Sequence, residues 1–319
     1  MTVLVTGGRG LVGSHVIEAL RAVGEDVRAF DGDVTDALAW RTASDGIRGI
    51  VHAAARVAQR LPFAEFERVN VGGTRLAVET ARATGARLVH ISSVAVFGRT
   101  AAFAAGAGAV DEDFPFGPIP EHDFYARTKR LAEAMVRESG LSAAAIRPNV
   151  IYGERDRLFT ARVIGVLKTG LMPRIGPGTN HLSCVYAGNV ASAIVAALSH
   201  RIPGFRAYNI TADAPPPLTE REFMQTFADA LGVRVWRVPI PIFVARVGAR
   251  LWARWLRFRD PVGYAGLGDA AVGFIVGDNP YTAARAQQEL GWTPPFDTRT
   301  GIRRAVAWYP SKGVASGSS

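Results

Sequence analysis

The chain has 319 residues, of which 48% are hydrophobic and 20% charged, and it carries a formal net charge of +9. This apolar content suffices for one large α/β domain or for two lobes that share a core. The single cysteine, Cys184, excludes an internal disulfide, and no stretch reaches the ~18 uninterrupted apolar residues of a membrane span. The arginines are scattered, without a basic run interleaved with aromatic residues, so we expect no nucleic-acid partner.

The first element is a short apolar strand, Thr2–Thr6, which leaves no room for a signal peptide and predicts a cytoplasmic protein. A glycine-rich turn and a helical pattern follow this strand. Gly7, Gly8, Gly10 and Gly13 fit the overlapping patterns G-x-G-x-x-G and G-x-x-G-x-x-G. Such glycines permit a tight turn and let a pyrophosphate approach the amides at a helix N-terminus. An ordinary βα turn is the alternative, but the strand before and the helix after favour a dinucleotide site.

A second strand, Asp26–Phe30, is followed by Asp31, eighteen residues past Gly13. A carboxylate there can accept hydrogen bonds from the adenosine ribose and would repel a 2′-phosphate, which favours NAD. Arg9, inside the glycine turn, can instead pair with that phosphate and favours NADP. Each could also be a simple surface charge, so the sequence leaves NAD and NADP both open.

Two further strands are predicted at 49–55 and 87–93, with helix-period sequence between them. Ala53, Ala54 and Ala55 end the first of these with small side chains that would let a cofactor lie close to the backbone. The alternation of strands and helices predicts a Rossmann-type, doubly wound parallel sheet with its ligand at the carboxyl ends of the strands.

Lys129, one of only three lysines in the chain, stands four residues after Tyr125. This spacing puts both side chains on one face of a helix, where an ammonium can lower the pKa of a phenol. We interpret the pair as a catalytic acid/base group. The alternative is a half-buried tyrosine beside a solvated lysine.

Other kinds of site find little support in the sequence. The six histidines show no paired metal-ligand spacing, so we predict no metal. No Gly-x-Ser-x-Gly motif indicates a hydrolase. The acidic run Asp111–Asp113 is expected to be a solvated loop.

Motifs along nearly the whole chain resemble the extended short-chain dehydrogenase/reductases, the family of NAD-dependent epimerases/dehydratases and 3β-hydroxysteroid-dehydrogenase-like proteins. The motifs occur in the family's order and are Thr6-Gly-Gly-Arg-Gly-Leu-Val-Gly13, Val51-His-Ala-Ala-Ala55, Asn70-Val-Gly-Gly-Thr74, Ser92-Ser-Val-Ala-Val-Phe-Gly98, Tyr125-x-x-x-Lys129, Arg147-Pro-Asn-Val-Ile-Tyr-Gly153, Leu290-Gly-Trp-Thr-Pro294 and Gly301-Ile-Arg-Arg-Ala-Val-Ala-Trp308.

This resemblance implies that Ser93 is the catalytic Ser/Thr, Tyr125 the acid/base, and Lys129 a helper that also holds the nicotinamide ribose. Asp33 matches an acidic residue beside the adenine, and Phe97 replaces a tyrosine that is common in the family. The glycine turn, the strand ends and the matching motifs together predict the cofactor-binding residues Gly7, Gly8, Arg9, Gly10, Leu11, Val12, Gly13, Asp31, Asp33, Val34, Ala53, Ala54, Ala55, Asn70, Ser92, Tyr125, Lys129, Pro148, Asn149 and Val150.

After residue 150 the sequence predicts a loop-like stretch at 173–180, a helix at 187–198 and a strand at 207–210, and residues 311–319 are expected to be a disordered tail. The resemblance implies how these segments divide into domains. We expect a dinucleotide-binding Rossmann domain at 1–150 with returning segments at about 183–212, and a substrate lobe at 151–182 and 213–310. Family members that bind sugar nucleotides often carry an arginine where this chain has Leu182.

The segment 241–260 is apolar, with Arg246, Arg250, Arg254 and Arg257 at helical spacing. It is predicted to lie on a membrane surface, to roof a pocket for an apolar substrate, or to pack its apolar side on the lobe. The leading hypothesis is an NAD(P)-dependent oxidoreductase that acts on a secondary alcohol or ketone of a steroid- or lipid-like small molecule. The alternatives are a nucleotide-sugar epimerase, dehydratase or reductase, and an NAD(P)-binding sensor without chemistry. The resemblance further implies a homodimer formed through helices that begin near Pro62 and Phe124.

Overall fold

The computed structural model describes residues 2–57, 61–259 and 269–309. Its strands are β1 (Thr2–Thr6), β2 (Asp26–Ala29), β3 (Ile47–His52), β4 (Arg87–Ile91), β5 (Ala143–Pro148), β6 (Val150–Tyr152), β7 (Leu171–Ile175), β8 (Cys184–Tyr186), β9 (Phe205–Ile210) and β10 (Trp236–Ile240). The predicted tail at 311–319 lies outside the described residues.

The helices alternate with these strands along most of the chain. They are α1 (Leu11–Ala22), α2 (Ala37–Ala43), α3 (Phe63–Phe66), α4 (Gly73–Thr84), α5 (Arg99–Ala104), α6 (Phe124–Glu138), α7 (Phe159–Lys168), α8 (Ala187–Ser199), α9 (Glu220–Leu231), α10 (Ile242–Arg259), α11 (Asp269–Val276), α12 (Ala284–Leu290) and α13 (Thr298–Trp308). A π-helical segment, Glu67–Gly72, joins α3 to α4, and a 3₁₀ turn, Val94–Phe97, follows β4.

A six-stranded sheet with the order β2-β1-β3-β4-β5-β9 forms the centre of the fold, and all of its neighbouring strands are parallel. This confirms the predicted fold class. The chain passes from β1 outward to β2 and then returns to β3 on the other side of β1. The carboxyl ends of β1 and β3 therefore flank the switch point at which doubly wound folds bind their ligands.

Helices cover both faces of this sheet. Val3 and Val5 of β1 point into a core that also contains Val16 of α1 and Ile194 of α8, whereas Leu4 faces a second core on the opposite side. Burial on both faces explains why β1 is a continuous apolar run rather than an alternating one.

Beyond β5, two small parallel sheets, β6-β8 and β10-β7, stand apart from the main sheet. The helix expected at 187–198 is present as α8, and the strand expected at 207–210 is β9, which begins at Phe205 and lies beside β5. The prediction of a loop at 173–180 was wrong in its first part. Pro173 lies inside β7, where β10 is its partner, and a two-stranded sheet tolerates a proline because both of its strands are edges.

Candidate active site

The turn between β1 and α1 is built from glycines for steric reasons. Gly7 has a φ of +67°, and a Cβ on it would lie 2.8 Å from the Ala54 nitrogen. A Cβ on Gly13 would lie 2.2 Å from the Gly7 carbonyl oxygen. The turn is closed by a hydrogen bond of 2.8 Å from the Gly10 N–H to that same carbonyl. No side chain caps the start of α1 at Gly10, so the first amides of the helix can serve an anion.

A cleft of about 680 Å³ opens over this turn at the switch point of the sheet. Half of the predicted cofactor-binding residues line it: Gly7, Gly8, Arg9, Gly10, Asp31, Asp33, Val34, Ala53, Ala54 and Ala55. Phe30, Arg56 and Arg68 also line the cleft and were missed from the sequence, because nothing in their spacing separates them from ordinary surface residues.

At the end of β2 the two charges that pointed to different cofactors form a pair. Arg9 donates a hydrogen bond of 3.2 Å to Asp31, and both side chains are exposed. Asp31 therefore partly neutralises Arg9. Asp33 lies in the same cleft, where hydrogen bonds from Thr35 and the charge of Arg68 keep the pKa of its carboxyl below the usual range.

The side chain of Asn70 forms hydrogen bonds within the protein rather than facing the cleft. Its oxygen accepts a hydrogen bond of 2.7 Å from the Arg56 N–H, and its amide nitrogen donates to the Arg56 carbonyl and to the Thr128 hydroxyl. Asn70 thus ties the chain after β3 to helix α6. It does not line the cleft.

Helix α6 begins at Phe124 and is capped by Asp123, whose side chain accepts from the Ala126 N–H. It carries Tyr125 and Lys129 on one face, as the spacing predicts. The Lys129 ammonium lies 6.0 Å from the centre of the Tyr125 ring and donates a hydrogen bond of 2.5 Å to the Ile91 carbonyl at the end of β4.

Lys129 is buried, and burial lowers its pKa to about 8, an effect that Glu133 partly opposes. Two stacked imidazoles on adjacent strands, His52 and His90, lie in the same buried region. Burial, with a smaller effect of the Lys129 charge, lowers the pKa of His52 to about 3 and that of His90 well below its usual value. Both rings are therefore neutral, and they do not compete with Lys129 as cations.

Ser93 caps the 3₁₀ turn that follows β4, and its hydroxyl accepts a hydrogen bond of 3.2 Å from the Ala95 N–H. Arg130 of α6 fastens this turn to the helix by donating to the Val96 and Gly117 carbonyls. The same helix therefore carries Tyr125 and Lys129 and holds the segment that follows Ser93.

A buried ion pair supports the helix from behind and was not recognised in the sequence. Glu133 lies four residues after Lys129 and accepts hydrogen bonds of 3.0 and 2.5 Å from Arg147 of β5. It also accepts one of 2.6 Å from Ser92, the neighbour of Ser93. The i, i+4, i+8 spacing of Tyr125, Lys129 and Glu133 was the available signal. Ser92, predicted to bind the cofactor, is committed to this ion pair.

The run Asp111–Asp113 is not a fully solvated loop, because Glu112 is buried and accepts a hydrogen bond of 2.7 Å from the Asn209 N–H of β9. Burial raises the pKa of the Glu112 carboxyl.

Phe97, which replaces the family's tyrosine, is fully buried, and the Arg147 guanidinium lies 4.8 Å from its ring centre.

The remaining predicted residues do not line the cleft. Leu11, Val12 and Gly13 form the first turn of α1. Pro148 ends β5 and Val150 begins β6. Between them, Asn149 donates to the Ser183 hydroxyl and to the Thr211 carbonyl. Within the described ranges, no cluster of histidine, cysteine and carboxylate side chains could hold a metal ion.

The chain is similar to a known protein family and to individual members of it. Residues 3–211 match the NAD dependent epimerase/dehydratase family. The chain is 31% identical to a 3 beta-hydroxysteroid dehydrogenase/Delta 5-->4-isomerase of Mycobacterium tuberculosis, over 97% of this chain and 90% of that protein. It is 29% identical to a 2-alkyl-3-oxoalkanoate reductase of Stenotrophomonas maltophilia, over 96% and 99% of the two chains.

Solved structures share the fold. The crystal structure of gox2253 superposes with a TM-score of 0.75 at 22% identity, covering 97% of this chain and 98% of that one. MoeE5 in complex with UDP-glucose and NAD superposes with a TM-score of 0.69 at 24% identity, covering 97% and 98%. From the family match and the relatives, the chain belongs to the NAD dependent epimerase/dehydratase family and is an enzyme of the extended short-chain dehydrogenase/reductase type.

Proposed function

We propose that the protein is an NAD(P)-dependent oxidoreductase that interconverts a secondary alcohol and a ketone on an apolar, steroid- or lipid-like small molecule. The observation that carries this proposal is the buried Lys129 ammonium, 6.0 Å from the centre of the Tyr125 ring. Burial lowers the pKa of this ammonium to about 8. A protein that only sensed a dinucleotide would have no need of a proton-transfer group held in this way.

The residues at the switch point fit a dinucleotide. The turn from Gly7 to Gly10 leaves room that a Cβ would fill, and the amides at the start of α1 would hold the pyrophosphate. Asp31 would accept hydrogen bonds from the adenosine ribose, and Ala53 and Ala54 would allow close approach to the backbone. When bound, the nicotinamide accepts or delivers a hydride.

The protein's own part in the reaction is to move a proton. In the reductive direction the Tyr125 phenol donates its proton to the substrate's carbonyl oxygen, and in the oxidative direction the phenolate takes a proton from the carbinol. The Lys129 charge favours the phenolate and so brings the pKa of the phenol closer to working pH. Ser93 orients the same substrate oxygen through a hydrogen bond from its hydroxyl.

The cofactor preference follows from the Arg9–Asp31 pair. Asp31 forms an ion pair with Arg9 and places a negative charge at the end of β2. A 2′-phosphate bound there would therefore be repelled by the Asp31 carboxylate. We therefore propose NAD as the preferred cofactor. Asp31→Asn should weaken this preference by freeing Arg9, and Arg9→Gln should strengthen it.

The substrate class rests on two observations. The relatives named above act, by their names, on a hydroxysteroid and on a 2-alkyl-3-oxoalkanoate. Leu182, which stands where sugar-nucleotide enzymes often have an arginine, is buried among Tyr152, Phe223 and other apolar side chains. Both support an apolar substrate over a sugar nucleotide.

The test is turnover by the purified protein, followed through the absorbance of the reduced nicotinamide. We expect net cofactor reduction with 3β-hydroxysteroids, or net oxidation with 2-alkyl-3-oxoalkanoates, and faster turnover with NAD than with NADP. Conversion of UDP-, GDP- or dTDP-sugars without net change in the cofactor would instead identify an epimerase or dehydratase and overturn the proposal.

A further inference from the structure

Between Phe243 and Trp255, helix α10 has its alanines inward and its large apolar residues outward. Ala253 is buried and Ala245 and Ala249 are partly buried, one turn apart on one side of the helix. On the other side, Phe243 is 70% exposed, Val247 51% and Leu251 63%. A helix that packs its apolar side on the protein shows the opposite arrangement.

The outward side forms a continuous surface, which we call the apolar face of α10. It consists of Phe243, Val244, Val247, Leu251, Trp252 and Trp255, all of them exposed. The Trp252 and Trp255 rings stack on each other with their centres 5.0 Å apart. At roughly 100° per residue, these six positions cover about half of the helix circumference.

A second apolar surface precedes the helix directly. Leu171 of β7 pairs with Trp236 of β10, and Pro173 pairs with Val238, so the four side chains share one face of the small sheet. All four are exposed, Trp236 to 75%. Only Pro241 separates this strand from α10, so the two surfaces lie side by side in the chain.

The charge of this part of the chain has one sign. Residues 232–259 contain seven arginines and no aspartate, glutamate or lysine. Arg246, Arg250 and Arg254 form an i, i+4, i+8 row along one border of the apolar face. Exposed tryptophan and leucine beside a row of arginines are typical of helices that lie in a membrane interface.

We propose that the apolar face of α10 binds the surface of a bilayer that contains anionic phospholipids. The apolar side chains would enter the acyl boundary while the arginines contact phosphate groups. A second copy of the chain would present the same arginines with no carboxylate from this segment to meet them. Charge therefore favours an anionic lipid surface over self-association.

Packing contacts connect the apolar face of α10 to the 3₁₀ turn that follows Ser93. Helix α11 packs on α10 and also on α5, the helix that follows the Ser93 turn. Within α5, Phe103 contacts the ring of Tyr281, which in turn stacks on Phe97. If the substrate is apolar, a step that rests on the proposed function, lipid binding would hold the enzyme where such substrates dissolve. The binding itself does not depend on that step.

The experiment is co-sedimentation of the full chain with vesicles of equimolar phosphatidylcholine and phosphatidylglycerol, without cofactor or substrate. We expect binding that Leu251→Ser/Trp252→Ser weakens by about tenfold or more. The matched control, Val23→Ser/Leu38→Ser, changes side chains that are 62% and 60% exposed on the cofactor-binding part and should bind as wild type does.

Charge is tested in the same assay. Arg246→Gln/Arg254→Gln should weaken binding to phosphatidylglycerol vesicles, whereas Arg41→Gln/Arg75→Gln on other helices should have little effect. Vesicle binding that the Leu251/Trp252 variant leaves unchanged, or no binding by wild type, would overturn the proposal. A wild-type dimer in sedimentation velocity that this variant turns into a monomer, without vesicle binding, would assign the face to self-association. None of these outcomes bears on turnover, which is measured separately with soluble substrates.

Discussion

Lys129 and Tyr125 lie on one face of α6, with the ammonium 6.0 Å from the ring centre and hydrogen-bonded to the Ile91 carbonyl at the end of β4. The lysine therefore links the helix to the central sheet, in addition to the action on the phenol that we propose for it. Its charge is held at a fixed place in a buried region, where an electrostatic effect on a neighbouring group is larger than in water.

Removing the phenol oxygen should stop the chemistry and leave the cleft intact. We expect Tyr125→Phe to lower kcat by about 10²-fold or more, because general acid/base catalysis contributes that much. The Kd for the dinucleotide, measured by titration calorimetry, should change little. Tyr208→Phe is the matched control, since Tyr208 donates to Glu289 on the outer edge of the sheet and should keep wild-type turnover. Substantial turnover by Tyr125→Phe would remove this residue from the mechanism.

The pH dependence of the reaction should report on Lys129. Its pKa is lowered to about 8, so it is charged below that pH and becomes neutral as pH rises through it. Support for the phenolate is then lost, and kcat/KM for ketone reduction should fall on the alkaline side of about pH 8. A profile that stays flat through this range would contradict the assigned role.

Lys129 should also lower the stability of the protein. Because its folded-state pKa of about 8 lies below the ordinary 10.5, the unfolded chain binds the proton more tightly. The resulting penalty, on the order of 3 kcal/mol, is complete below about pH 8 and disappears as pH rises toward the unfolded value. Lys129→Met should therefore raise the free energy of unfolding at neutral pH, by less than the full penalty because the Ile91 carbonyl loses its hydrogen bond, while abolishing turnover. The exposed Lys168→Met removes the same charge and should change stability by only a few tenths of a kcal/mol. Equal effects of the two substitutions in urea denaturation would contradict this account.

The features that the sequence predicted correctly are those carried by short-range patterns. The glycine turn, the Tyr125–Lys129 pair and each strand or helix of the alternation are defined by residues that are close together in the sequence. The burial of Glu112 was not predicted because β9 and α12, almost a hundred residues or more further along, cover that loop: Asn209 donates to it and Arg285 approaches it. The hydrogen bonds from Asn70 to Thr128 and from Ser92 to Glu133 were not predicted either, because these partners are also distant in the sequence.

The glycine turn should lose dinucleotide affinity when a side chain is added at Gly13. Gly13→Ala would bring a Cβ to 2.2 Å from the Gly7 carbonyl oxygen, so the turn must open and dinucleotide affinity should fall by about tenfold or more. Gly165→Ala is the control, because nothing lies within 4 Å of a Cβ there. In the helix α7 this alanine should stabilise the protein by roughly 0.5–1 kcal/mol. Equal dinucleotide affinity in the Gly13→Ala protein would mean that the turn does not bind the cofactor.

The Glu133–Arg147 pair can be tested by comparing single and double substitutions. Glu133→Gln leaves the Arg147 guanidinium fully buried without a neutralising carboxylate, and such a loss costs about 3–5 kcal/mol. Glu138→Gln, on the exposed end of the same helix, should cost almost nothing. In the double variant Glu133→Leu/Arg147→Met no charge remains buried, so its stability in urea denaturation should be closer to wild type than that of Glu133→Gln. Turnover of the double variant should nevertheless stay low, because Ser92 loses its acceptor and α6 loses its tie to β5. A double variant less stable than Glu133→Gln would show that the pair itself, rather than the cost of an unpaired charge, determines the stability of this region.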